Sequence, residues 1–104
     1  MAQEWDENEE NYRQEMEKVI DLLEEYNIDF KVEGDKILIK GDVEYADIFS
    51  LPAITIVQGD NLIGFDKLWG FNKITVRTPT GVKEVELLKG VHANYQYPYL
   101  IIHF

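Results

Sequence analysis

Two histidines, a single serine and twenty carboxylates are the groups in this 104-residue chain that could carry out chemistry. His92 and His103 stand eleven residues apart, with no His-Glu-x-x-His helix or paired-carboxylate loop to complete a metal shell. Glu84 and Glu86 point the same way on one predicted strand, yet no histidine is tied to them by spacing. Ser50 precedes Leu51-Pro52 and lies outside any Gly-x-Ser-x-Gly turn, so nothing marks it as a nucleophile. Cysteine is absent, which removes disulfides, thiolate nucleophiles and thiolate metal sites together. No two acids are singled out as a glycosidase-type pair. Gly59 and Gly64 have the spacing that opens a phosphate-binding loop. Phe65-Asp66 then stands where that loop needs Lys and Ser or Thr, so the phosphate charge and the magnesium ligand are both missing. The sequence therefore assigns no catalytic, cofactor-binding or metal-ligating residue, and the chain reads as a binding protein rather than an enzyme.

Charge is where the sequence departs from the ordinary. The net charge is −10. Residues 1–25 hold ten acids against Arg13 and Lys18, and the other 79 residues hold ten acids against eight bases. One strongly acidic segment is thus attached to a nearly neutral body. Direct nucleic-acid binding needs Lys and Arg to displace counterions from phosphates, and an anionic membrane surface needs the same sign of charge. Both are disfavoured. A basic protein partner, drawn in by long-range attraction, is the expectation, against the plainer reading that acids keep a small domain soluble. The expected partner-binding residues are Glu10, Glu17, Asp21, Glu24 and Glu25 on the acidic segment and Trp69 in a glycine-punctuated apolar stretch. Residues three or four apart on a helix lie roughly 5–6 Å apart, so these carboxylates can stand where a nucleic-acid-binding protein expects phosphates. The alternative is a structural or homo-oligomeric assembly subunit, built on the apolar stretch and a terminal edge strand. Tyr95, Tyr97 and Tyr99 offer a stacking row, but cross-strand aromatic packing explains it as well.

In size, charge and lack of chemistry the chain is similar to two broad groups, phage-encoded inhibitors of bacterial defence systems (the anti-CRISPR type) and bacterial toxin-immunity proteins. The similarity is one of type and transfers no residue. It implies an inhibitor that occupies a nuclease-like or nucleic-acid-binding surface by electrostatic mimicry.

These side chains need elements to hold them. Tyr12, Met16, Val19, Ile20, Leu23 and Tyr26 recur with a 3.6-residue period, which predicts an amphipathic helix over about residues 8–27. Asp6 and Glu9 have the spacing of a capping box, and Trp5 then falls outside the helix. The far end of the helix breaks the local rules: Glu24 and Glu25 occupy a last turn that favours Lys or Arg, and Glu17 and Asp21 are like charges one turn apart. A period of two follows. Residues 28–33 and 36–40 form a hairpin around Gly34-Asp35. Residues 43–49 are ambiguous between strand and helical turn. Residues 53–58 read as a buried strand, 59–71 as an irregular loop, and 73–77 and 82–88 as strands joined through Pro79. Residues 95–104 form a last strand, with Pro98 forcing an edge or a bulge. The expected fold is a single α+β domain spanning residues 1–104. Its N-terminal amphipathic helix packs on one face of a mostly antiparallel sheet of five or six strands. The N-terminus lacks an apolar signal region and no apolar run is long enough for a membrane helix, so a cytoplasmic protein is expected.

Overall fold

The computed structural model describes the backbone of residues 2–47, 53–68, 70–88 and 90–104, and the side chains of 12–44, 53–68, 70–88 and 90–104. Among the described residues one helix, α1 (Ala2–Glu25), leads into nine strands. No Gly or Pro interrupts the helix, which is rich in the helix former Glu. It begins upstream of the expected start. Asp6 is therefore an interior helix position rather than a cap, and Trp5 is inside the helix. The strong helix formers Ala2, Gln3 and Glu4 carry the helix past the capping signal.

The end of α1 is built by Asn27, whose φ of 56° is left-handed. Its N–H donates to the Glu24 carbonyl at 3.2 Å, and the Ile28 N–H donates to the Leu23 carbonyl at 2.9 Å. This pair of bonds is a Schellman motif, and its usual apolar contact is present, since Ile28 and Leu23 belong to the same buried cluster. The motif turns the chain back toward the core.

The strands are β1 (Phe30–Glu33), β2 (Lys36–Lys40), β3 (Asp42–Asp47), β4 (Ala53–Gln58), β5 (Asn61–Lys67), β6 (Asn72–Thr78), β7 (Gly81–Leu87), β8 (His92–Gln96) and β9 (Tyr99–His103). They form two antiparallel sheets, β1-β2-β9-β8 and the meander β3-β4-β5-β6-β7. The α+β class and the helix at the N-terminus match expectation. The strand number is higher, and the strands divide between two sheets.

Two segments account for the extra strands. The stretch at 59–71, expected to be irregular, contains β5. Gly59, at φ +60°, opens a two-residue turn before Asn61, as Gly34 at φ +63° does before Lys36. Ile63 and Phe65 then point into the core with a period of two. Leu62 and Gly64 on the other face masked that period. The last segment is a hairpin rather than one strand: Tyr97-Pro98, a cis peptide, is its turn, and β8 pairs with β9. Pro98 therefore sits outside the ladder, and β9 is an interior strand between β2 and β8. The turn also splits the tyrosine row. Tyr95 is opposite Leu100 on the core side and donates its hydroxyl to the Gly41 carbonyl at 2.6 Å. Tyr99 lies on the outer face beneath the Lys31 ammonium, 4.8 Å from its ring centre. The ambiguous segment at 43–49 falls partly in β3, and its end lies outside the described residues.

One apolar cluster joins all the layers. Val19, Leu22 and Leu23 of α1 meet Ile37 and Ile39 of β2, Leu100 and Ile102 of β9, and the inward residues of β4 to β7. The sheets are stitched where they meet. The Gln58 amide donates to the carbonyls of Asp29 (2.8 Å) and Lys40 (2.7 Å) and accepts from the Asp29 N–H (2.8 Å). Gly41 passes so close to the Val57 carbonyl that a Cβ would stand 2.6 Å from its oxygen. Among the described residues no helix is long and apolar enough to cross a membrane.

Candidate functional site: the acidic helix face

Packing against β6 and β7 buries one side of α1 and leaves the other in water. Glu17, Asp21 and Glu24 are exposed, and none of them forms an ion pair among the described residues. Four and three residues separate them, so they run along the helix as one row.

Two other carboxylates of α1 are engaged by the protein itself. Glu15 turns inward and is only 6% exposed. It accepts from the Lys18 ammonium at 2.6 Å and from the Leu88 backbone N–H at 3.1 Å. Leu88 follows the end of β7, where the ladder no longer supplies an acceptor, so the carboxylate replaces a strand partner. Glu15 is four residues before the buried Val19 and three after Tyr12. That spacing was a readable sign that it lay on the inner stripe. Glu25 meets Lys83 of β7 at 2.8 Å, with both side chains about half exposed. The hydrogen bond and charge of Glu25 push the Lys83 ammonium up from its ordinary value. The side chain of Glu10, and Trp69 altogether, lie outside the described residues. Of the expected contact residues, the row therefore contains Glu17, Asp21 and Glu24, with Glu25 at its end, tied to β7.

The fold also builds two features that sequence spacing did not reveal. The first is a shallow concavity of about 400 Å³ on the outer face of the five-stranded sheet. Gly64 forms its floor, beside Thr55 and Thr75, with Arg77 and a Lys73–Glu84 ion pair (3.3 Å) at its rim. The second is a histidine pair on the outer face of the four-stranded sheet. His92 and His103 are register partners, stacked with ring centres 4.8 Å apart and planes 6° apart. His103 Nε2 meets Asn94 Oδ1, and His92 Nδ1 lies 3.4 Å from the Gly90 carbonyl. Burial, His92 and Lys36 hold the His103 imidazolium below its usual pKa, with Asp35 opposing them. A signal for this pair existed, because the two histidines are equidistant from the Tyr97-Pro98 peptide. Reading Pro98 as a turn centre would have placed them opposite each other. Among the described residues no group of three or more His, Asp or Glu side chains is gathered as a metal shell.

Comparison with protein-family models, with curated proteins and with solved structures gives no match.

Proposed function

We propose that this domain is an inhibitor-type binding protein that docks the solvent face of α1 on a cationic protein surface, standing in for a nucleic-acid backbone. The observation that carries this reading is the row Glu17, Asp21 and Glu24: three exposed carboxylates, on one continuous helix, without internal ion pairs among the described residues. Carboxylates that served only internal stability would be placed as Glu15 and Glu25 are, beside Lys18, Leu88 N–H and Lys83. The row instead accepts helix-end and like-charge penalties, which natural proteins retain mainly at functional sites. A regularly spaced anionic row on a helix presents to a basic groove the charge pattern that groove uses for phosphates. Its mechanism is occupancy: association is fast at low salt and the partner's nucleic-acid site is covered. The kind of partner is a nuclease or other nucleic-acid-binding protein, which places the domain with anti-defence and immunity proteins by mode of action.

The test is capture of basic nucleic-acid-binding proteins on the immobilised domain at low and high salt, with duplex DNA as competitor. Captured protein should be released by salt and by DNA. The variant Glu17→Lys/Asp21→Lys/Glu24→Lys should retain its fold by circular dichroism and lose capture by a factor of ten or more. Equal retention on the variant would remove the helix row from the mechanism.

A further inference from the structure

The concavity on the outer face of the five-stranded sheet is a second site, independent of the helix row. Its floor is a glycine that the fold does not require. Gly64 lies inside β5, directly across from Thr55 of β4 on one side and Thr75 of β6 on the other. Its φ lies outside the left-handed region. A Cβ there would meet the Thr55 hydroxyl at 3.3 Å and the Ile54 carbonyl at 4.0 Å, and no other described atom within 4 Å. A side chain therefore fits, and it would strengthen the strand, since glycine in a strand interior costs stability. What the glycine does is keep a gap of two strand spacings, about 9–10 Å, open down to the backbone between the two threonines. Glycine inside a strand is the usual mark of a close approach to the backbone.

The side chains around the gap select the ligand. Those of Thr55, Thr75, Asp66 and Arg77 form no hydrogen bond or ion pair among the described residues, whereas Lys73 is held by Glu84 at 3.3 Å. Arg77 and Lys73 disfavour a cation, and Asp66 and Glu84 disfavour a dianion such as a phosphate ester. An apolar molecule would cover both hydroxyls and Asp66 without pairing them. A hydroxyl-rich molecule with one carboxylate satisfies all of them. We propose that this face binds an acidic monosaccharide of the uronic-acid type. Its carboxylate takes the Arg77 guanidinium, whose fork matches that group. Its hydroxyls exchange hydrogen bonds with Thr55 and Thr75 and donate to Asp66. Arg77 is the register partner of Leu62, two residues before Gly64, and Asp66 stands two residues after it, so the ligand lies along β5 with its acid end toward Arg77. Its C–H surface rests on Gly64 and Leu62. The volume of about 400 Å³ is at the small end of ligand sites and suits one ring.

The experiment is titration of sodium glucuronate into the ¹⁵N-labelled chain at constant ionic strength, followed by backbone amide signals. Saturable shifts are expected at Thr55, Gly64 and Thr75. Glucose, which lacks the carboxylate, should bind at least about tenfold more weakly, and Arg77→Gln should weaken glucuronate by a similar factor. Gly64→Val fills the gap with a strand-favouring side chain; it should abolish binding while the melting temperature holds or rises. A glycine needed only for packing would give the reverse, a lower melting temperature. Replacing Glu17, Asp21 and Glu24 by their amides should leave glucuronate binding unchanged, which separates this site from the docking row. Static signals on this face, equal shifts with sodium acetate, or binding that survives Gly64→Val or Arg77→Gln would overturn the proposal.

Discussion

Glu15 and Glu17 are two residues apart on the same helix and have opposite physical roles. Glu15 is enclosed and accepts two hydrogen bonds, one of them from the Leu88 amide. Truncating it leaves that N–H without its acceptor. Glu15→Ala should lower the unfolding free energy by about 1–3 kcal/mol in urea titration. Glu15→Gln, which keeps an oxygen for Leu88, should cost less. A cost for Glu15→Gln equal to that of Glu15→Ala would mean that charge, not the amide bond, is what matters there. Glu17 is exposed and free of ion pairs among the described residues, so its removal should stay within about 0.5 kcal/mol. Asn72 resembles Glu15. It is 1% exposed, and its amide donates to the carbonyls of Leu88 (3.2 Å) and Val91. It thereby holds the connection between the two sheets from one end as Gln58 holds it from the other.

At the scale of elements, α1 is shaped by tertiary packing more than by its own end chemistry. Its last turn has no basic residue, although the dipole favours one there. Glu24→Lys should therefore raise helix and protein stability by about 0.3–1 kcal/mol at low ionic strength while weakening capture of a basic partner. A variant that lost stability and binding together would mean that Glu24 has a structural contact, contrary to its exposure. The hairpin turns are the opposite case, because there local chemistry decides. Gly59 must hold a φ of +60° between β4 and β5. Gly59→Ala should destabilise the protein by about 1–2 kcal/mol, read from the thermal or urea midpoint. Nothing lies within 4 Å of the added Cβ, so that cost is backbone strain alone.

At the scale of the whole molecule, one buried apolar cluster joins the helix and both sheets, and the charge is uneven. Leu23 is fully buried where α1, its Schellman turn and the sheets meet. Leu23→Ala should cost about 2–5 kcal/mol and shift the unfolding of helix and sheets together, as followed by far-ultraviolet circular dichroism and tryptophan fluorescence. Separate transitions would show that α1 is a detachable element. The net charge of −10, mostly gathered ahead of residue 26, adds a long-range term. Salt screens self-repulsion and partner attraction alike, since the screening length falls to about 8 Å at physiological ionic strength. Raising salt from low to physiological concentration should raise the melting temperature of the free domain and slow its association with a basic protein. Opposite signs for these two responses mark charge that serves binding at some expense to stability.

Sequence alone determined the features that depend on neighbours along the chain. The apolar period located α1, and the Gly34-Asp35 and Pro79-Thr80 turns located two hairpins. The acid count of the first quarter located the charge. Each of these is decided within about ten residues, by backbone sterics or by the repeat of a helix. Tertiary structure decided what depends on partners distant in the chain. It set the partition of the strands into two sheets, the inward turn of Glu15 toward Leu88, the pairing of Glu25 with Lys83 and the stacking of His92 on His103. Strand β5 was missed because Leu62 and Gly64 on its outer face blurred the alternation of Ile63 and Phe65. Only the flanking strands β4 and β6 make that stretch a strand. A carboxylate has the same composition whether it faces water, a lysine or an orphan amide; the difference lies in which backbone groups the fold leaves without a partner.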